Sequence, residues 1–236
     1  MSTYRAGASS PGEQLLAGVA AALAAAEIPA SKLGPARRAR LADAERKLYF
    51  WILRRFATSS RPSSAELGEE AGRLGADAER ALTTLAREDL VHLGPDGEIA
   101  VAYPFSGRPT AHRVHFPSGH QVDAMCAIDA LGIAPMFGEP IEIRSRDPLS
   151  GDEVRAQLAP GGEVAWQPDS AVVLTGAADG CGESFRGCCP VLNFFASAQN
   201  AERYLSEHPD VEGFAISIPQ AVDVGEAVFG DVLEEA

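Results

Sequence analysis

The chain has few cysteines, few lysines and no long apolar run. Its 236 residues include only four cysteines and two lysines. Four cysteines are too few to stabilise a chain of this length by disulfides, which favours a reduced, cytoplasmic setting. The longest apolar runs are far shorter than the roughly 20 residues that cross a bilayer, and this excludes a membrane-spanning class. With 46% hydrophobic residues, the chain can still bury a core, in one large domain or two small ones.

The N-terminus also lacks the pattern of a signal peptide. The segment 15–26 is apolar and rich in alanine, but no basic cluster precedes it, and Glu13 lies where positive charge would be needed. We therefore interpret residues 1–36 as an N-terminal extension that contains a short surface helix.

Positive charge is scarce in the second half of the chain. Residues 1–105 carry 13 basic and 13 acidic residues, whereas residues 106–236 carry 7 basic and 20 acidic ones. The second half therefore accounts for the whole net charge of −13. Such a surface repels nucleic acid and anionic membranes, so neither is expected as a partner.

The segment 37–105 has the order of elements of a winged-helix domain. Apolar residues at helical spacing predict a helix over 37–57, and two shorter helices follow, the first capped by Ser63 or Ser64. Two strands around the turn at 95–97 then predict a hairpin. Helix, helix–turn–helix and hairpin together indicate a winged-helix-like helical domain.

Residues 106–236 show a different pattern, which predicts an α+β core with a mixed sheet, short strands and flanking helices. The segment 121–138 resembles a helix broken by Pro135. Strands are expected in 141–145, 154–159, 164–166, 171–174, 191–195 and 214–218. A helix capped by Ser197 is expected through about His208, and a second helix in the tail from Gln220.

The sequence Cys126-Ala-Ile-Asp129 is the first candidate for chemistry. On a helix, positions i and i+3 lie on one face, so a thiol and a carboxyl would point at one spot. Cys126 is expected in the first helical turn, where the helix dipole lowers a thiol pKa. A buried structural cysteine beside a capping aspartate is the alternative.

The adjacent pair Cys188-Cys189 is the second candidate. It follows a glycine-rich loop and precedes a hydrophobic strand, on which one cysteine can face a pocket while its neighbour faces away. The alternative is that both are incidental small core residues.

The segments CAIDALGIAPMFG and CCPVLNFFAS resemble the two catalytic segments of the organomercurial lyases, also called alkylmercury lyases. In that family a Cys-x-x-Asp opens a helix with a proline further along, and a second cysteine precedes Phe-Phe-Ala-Ser at a fixed distance. Matching Phe194–Ser197 without gaps places that second cysteine on Cys189. The resemblance covers about 37–233, including a winged-helix-like domain ahead of the catalytic core.

The sequence departs from the family pattern in three places. A further family cysteine, of structural role, appears here as Asp147. The N-terminal extension is longer, and the loop that holds Cys181 resembles an insertion. We interpret Cys181 as a surface thiol; transfer of metal into the site by Cys181 or Cys188 is left open.

The resemblance implies protonolysis of carbon–mercury bonds, giving a hydrocarbon and Hg(II). It assigns mercury binding to Cys126 and Cys189 and proton transfer to Asp129, with Asp129 as a further ligand of the product. A raised pKa of Asp129 in an apolar site would assist this transfer. No cofactor is expected. Expected partners are organomercurial small molecules, external low-molecular-weight thiols that release the product, and a mercuric reductase.

Two other function classes stay open from the sequence. A winged helix suggests a thiol-based metal-sensing regulator, but the segment 76–87 pairs Arg80 and Arg87 with acidic neighbours, and a DNA reader usually has a basic face. A divergent metal-binding relative could hold zinc on four cysteines, although the chain has no Cys-x-x-Cys pair. The five histidines form no ligand motif; only His115 and His120, which flank a second expected hairpin shortly before Cys126, are further candidates.

Overall fold

The computed structural model describes residues 2–4, 34–178, 184–230 and 232. The predicted N-terminal helix and Cys181 lie outside these residues. The helices of the described part are α1 (Gly34–Arg38), α2 (Asp43–Thr58), α3 (Ser64–Arg73), α4 (Ala78–Arg87), α5 (Ala127–Phe137), α6 (Ser184–Gly187), α7 (Ala198–Glu207) and α8 (Ile218–Phe229). None of them is long and apolar enough to cross a membrane.

The strands form two antiparallel sheets. They are β1 (Ser2–Tyr4), β2 (Val91–Leu93), β3 (Ile99–Ala102), β4 (Phe105–Ser106), β5 (His112–His115), β6 (Gln121–Ala124), β7 (Ile141–Arg146), β8 (Glu153–Leu158), β9 (Val164–Gln167), β10 (Val172–Ala178), β11 (Phe194–Phe195) and β12 (Val211–Ser217). The larger sheet has the order β1-β9-β8-β7-β5-β6-β4-β3-β2, and the smaller has the order β11-β10-β12. The predicted α+β class is confirmed, but the predicted mixed sheet was wrong, because every strand pairing among the described residues is antiparallel.

The first half of the described chain follows the predicted order of helices and hairpin. Ser63 caps α3 and accepts a hydrogen bond from the backbone N–H of Glu66, as its position before an apolar run indicates. The helix predicted over 37–57 is instead two helices, because the chain turns between Arg38 and Asp43. Leu48, Ile52 and Phe56 of α2 are buried in the core.

The larger sheet runs across the predicted boundary between residues 105 and 106. Strand β4 lies at this point, and Phe105 pairs with Ala124 of β6, so strands from both predicted segments share one sheet. The division into segments 1–36, 37–105 and 106–236 stays a prediction.

Three predictions about the second half were wrong in detail. Residues 121–124 form strand β6 rather than the start of a helix, and α5 begins only at Ala127. Pro135 does not break α5, which continues to Phe137 and ends at Gly138 in the left-handed conformation, with φ of 64°. The strand predicted over 191–195 contains only Phe194 and Phe195, because the residues after Cys189 form a turn.

Helix α5 carries the predicted Cys-x-x-Asp motif and packs closely on α8. At their crossing, a Cβ added to Gly225 would lie 2.8 Å from the backbone nitrogen of Gly132. Helix α5 is buried along most of its length, and its N-terminal end, capped by Cys126, faces the site.

Candidate active site

Cys126 lies between strand β6 and helix α5 and is the N-cap residue of that helix. Its backbone is extended (φ −152°, ψ 179°), and its sulfur accepts a hydrogen bond from the backbone N–H of Asp129 at 3.3 Å. The Cys126 thiol donates to Asp129 Oδ2 at 2.9 Å. The predicted i, i+3 contact is therefore present, although Cys126 caps the helix rather than occupying its first turn.

Cys189 reaches the same carboxyl from the turn between α6 and β11. Its sulfur lies 3.7 Å from Asp129 Oδ2. The two cysteine segments are also joined directly, because the N–H of Ala127 donates to the carbonyl of Leu192 at 2.8 Å. The ligand atoms of Cys126, Asp129 and Cys189 all lie within 4.8 Å of one another, and all three residues are buried.

Burial changes the acidity of the Asp129 carboxyl. Loss of water raises its pKa to about 7, while the hydrogen bonds from Cys126 and Cys189 oppose that rise. Burial thus shifts the pKa of Asp129 in the direction that would assist proton transfer. A carboxyl with such a pKa exchanges its proton near neutral pH.

The expected lowering of the Cys126 pKa was wrong. Burial raises the pKa of this thiol well above its usual value, and the hydrogen bond with Cys189 and the charge of Asp129 raise it further. For Cys189, the hydrogen bond with Cys126 lowers the pKa, but burial and Asp129 raise it, and the net change is upward. Both cysteines are free thiols, so a bound cation would have to displace their protons.

Tyr103 is a site residue that the sequence did not reveal. Its hydroxyl lies 3.8 Å from Cys189 Sγ, and burial raises its pKa far above the usual value. Its carbonyl accepts a hydrogen bond from the hydroxyl of Tyr49 at 2.6 Å, so helix α2 fixes the position of Tyr103. No local pattern could have identified this contact, because Tyr103 and Cys189 are 86 positions apart.

The comparisons with known proteins agree with this geometry. The family model described as "MerB: Alkylmercury lyase" matches residues 105–230. The alkylmercury lyase of Staphylococcus epidermidis is 28% identical over 160 residues, which are 68% of this chain and 71% of that protein. The alkylmercury lyase of Bacillus cereus is 31% identical over 118 residues, or 50% of this chain and 52% of its own length.

A solved structure has the same fold. The crystal structure of the mercury-bound form of MerB2 has a TM-score of 0.69 and 23% sequence identity, and the match covers 84% of this chain and 94% of that chain.

This chain belongs to the alkylmercury lyase family. The family model covers the whole segment that carries both cysteines and Asp129. The family expected from the two motifs is therefore confirmed, and the curated relatives that carry the family's name are enzymes. The substrate class that goes with this family is an organomercurial.

Among the described residues, the other candidates named from the sequence do not belong to the cluster of Cys126, Asp129 and Cys189. Cys188 is buried and disulfide-bonded, so the alternative of a zinc site on four cysteines was wrong. His120 bonds the carbonyl of Phe56 through Nε2, and His115 lies on strand β5; neither belongs to the cluster of Cys126, Asp129 and Cys189. Near the two cysteines in sequence, Phe194, Phe195 and Met136 are buried, and Met125 is half-buried.

Proposed function

We propose that the chain cleaves carbon–mercury bonds by protonolysis, with Cys126 and Cys189 as mercury ligands and Asp129 as the proton carrier. One observation carries this proposal: Asp129 Oδ2 lies 2.9 Å from one sulfur and 3.7 Å from the other. A carboxyl in this position reaches the proton of either thiol. Mercury(II) and R–Hg⁺ are soft cations that prefer thiolate ligands to oxygen or nitrogen.

The reaction forms two Hg–S bonds and breaks one Hg–C bond. R–Hg⁺ displaces the proton of Cys126, which is released to water, and the first Hg–S bond forms. The proton of Cys189 passes to Asp129 as its sulfur forms the second bond, and two thiolates increase the electron density on mercury. The Hg–C electron pair then takes the proton from Asp129, so R–H leaves and Hg(II) stays on the two sulfurs, with Asp129 as a further ligand.

Replacing either sulfur tests the assignment. Cys126→Ser and Cys189→Ser should each reduce the release of benzene from phenylmercury at least about a thousandfold, because serine oxygen is a poor ligand for mercury. Benzene is measured by gas chromatography in the presence of excess thiol. Cys188→Ser is the comparison: it removes a sulfur outside the cluster, together with its disulfide bond, and should retain most of the benzene release.

The role of Asp129 is separable from binding. Asp129→Ser should still bind phenylmercury stoichiometrically but turn over slowly. Full turnover in any one of the Cys126, Cys189 or Asp129 variants would contradict the mechanism, and a circular dichroism spectrum of each variant checks its fold.

The proposal includes predictions about the surroundings of the reaction. Hg(II) on two buried thiolates leaves slowly, so low-molecular-weight thiols are proposed to extract it and pass it to a mercuric reductase. Such thiols are abundant in the cytoplasm, where we place the protein. No resident cofactor takes part in the steps above.

We further propose that the segment 37–105 is a winged-helix-like module that covers the site rather than a reader of DNA. Its contribution of Tyr103 beside Cys189 supports this role. The segment carries no excess of basic residues.

A further inference from the structure

A second buried polar cluster lies next to the site, where helix α4 meets strand β2. Asp89 occupies this junction in the left-handed conformation, with φ of 55°. Its Oδ1 lies 2.6 Å from His92 Nε2, and its Oδ2 forms an ion pair with Arg37 at 2.7 Å. Oδ2 also accepts hydrogen bonds from the backbone N–H of Ser184, at 3.1 Å, and from its hydroxyl, at 2.6 Å.

Ser184 connects Asp89 to the second cysteine. The Ser184 carbonyl accepts hydrogen bonds from the backbone N–H groups of Cys188, at 3.0 Å, and Cys189, at 2.9 Å. Arg37 adds a hydrogen bond from Nη2 to the Ser184 hydroxyl at 3.2 Å. The N–H and hydroxyl of Ser184 are thus held by Asp89, and the Ser184 carbonyl holds the backbone of Cys189.

Cys126 is held by different contacts. It caps helix α5, whose first N–H donates to Leu192, and the N–H of Met125 donates to the carbonyl of Pro104. None of these hydrogen bonds involves Asp89 or Ser184. Asp89 and Ser184 therefore hold the Cys189 segment directly, whereas they reach Cys126 only indirectly, through Leu192, whose N–H donates to the Cys188 carbonyl at 3.2 Å.

We propose that Asp89 is a positioning residue that acts through Ser184 to hold Cys189 within reach of Asp129 and of a mercury atom on Cys126. The proposal rests on the function proposed above. In it, Asp89 assists formation of the second Hg–S bond, the one to Cys189. A displacement of a reacting group by about 1 Å can reduce a rate about 100-fold, so the tether affects turnover even though Asp89 touches no substrate.

The test separates the first Hg–S bond from the second. Asp89→Asn retains the side-chain shape and tolerates positive φ, but it loses the ion pair and one acceptor oxygen. Ser184→Ala removes one hydrogen bond to Asp89 without changing any charge. We expect kcat for phenylmercury to fall about 10- to 100-fold in each variant, with KM changed less than about threefold, because capture by Cys126 is retained.

The controls distinguish positioning from general stability. Glu88→Gln removes the adjacent carboxylate, which pairs with Arg40 rather than Ser184, and should leave kcat within about twofold of the original. Ser184→Thr restores the hydroxyl and should recover most of the activity. An unchanged kcat in both Asp89→Asn and Ser184→Ala would contradict the proposal. An equal loss in Glu88→Gln would also contradict it.

A readout without turnover keeps this proposal separate from the proposed function. Hg(II) alone, added to the free protein, should bridge Cys126 and Cys189 and give the ultraviolet absorption of a bis-thiolate. Asp89→Asn and Ser184→Ala should weaken this bridging about tenfold in competition with a small thiol, while Glu88→Gln should not. If the unmodified chain releases no benzene, the proposed function fails, whereas equal bridging in all variants removes the role of Asp89.

Discussion

At the scale of single residues, the site combines two thiols that burial keeps protonated with a carboxyl whose pKa of about 7 lets it take up and release a proton near neutral pH. Each of the three groups would be more acidic in water, and each loses hydration on folding. The protons that the reaction must move are therefore already in the site before the substrate arrives. A cation that binds the two sulfurs takes the place of the protons that the thiols lose.

The raised pKa of Asp129 predicts a dependence of stability on pH. The folded chain retains a proton on Asp129 up to about pH 7, whereas the unfolded chain loses it near 3.8. The free energy of unfolding contributed by this group therefore falls as pH rises through that window. Asp129→Asn should become more stable relative to the original chain by roughly 2–4 kcal/mol between pH 4 and pH 8, as measured by urea unfolding without mercury.

Asp147 provides a comparison of opposite sign. Burial favours its neutral form, but hydrogen bonds from Asn200 and from the backbone N–H of Ala196 outweigh burial and lower its pKa. Its contribution to stability is present above its unfolded pKa and disappears as pH falls through the folded pKa. Asp147→Asn should therefore lose stability relative to the original chain as pH rises from 2 to 5. The same slope in both variants would contradict the two assignments.

At the scale of elements, helix α5 depends on its contact with α8. A methyl group at Gly225 would lie 2.8 Å from the Gly132 nitrogen and 3.1 Å from the carbonyl oxygen of Ile128, both of which are backbone atoms. Gly225→Ala should therefore push the helices apart and reduce the free energy of unfolding by roughly 1–3 kcal/mol. Gly68→Ala in α3 is the control: nothing lies within 4 Å of the added methyl group, and the change should stabilise the helix by about 0.5–1 kcal/mol. Both values come from denaturant unfolding, and a neutral Gly225→Ala would contradict the close crossing.

The sequence predicted those parts of the site that depend on local spacing. The i, i+3 relation of Cys126 and Asp129 follows from helix geometry, and the family resemblance selected Cys189 over Cys188. Tyr103 and Asp89 could not be predicted, because their contacts depend on how distant segments pack. The acidity of Cys126 was misjudged for a related reason: the helix dipole can be inferred from sequence, whereas the depth of burial, which outweighs it, cannot.

At the scale of the whole molecule, charge distribution predicts how the chain treats nucleic acid. The half that carries the sulfur cluster holds 20 acidic and 7 basic residues, and the other half is balanced. Binding to DNA depends on counterion release by clustered basic residues, which neither half offers in excess. The chain should therefore not retard duplex fragments in a gel shift at 50 mM salt, with a basic winged-helix protein as the positive control. Retardation that disappears at 200 mM salt would revive the regulator hypothesis.

The pairing of Phe105 with Ala124 has a consequence for recombination between relatives. A chimera that takes residues 1–105 from another lyase also imports one edge of a continuous sheet, together with Tyr103, which lies beside the second sulfur, and Asp89, which bonds Ser184. A crossover between positions 93 and 112 would thus combine strands from two different parents in the larger sheet. The parents of such chimeras should therefore have similar sequences in β4 and in β6, and not only in the two cysteine motifs.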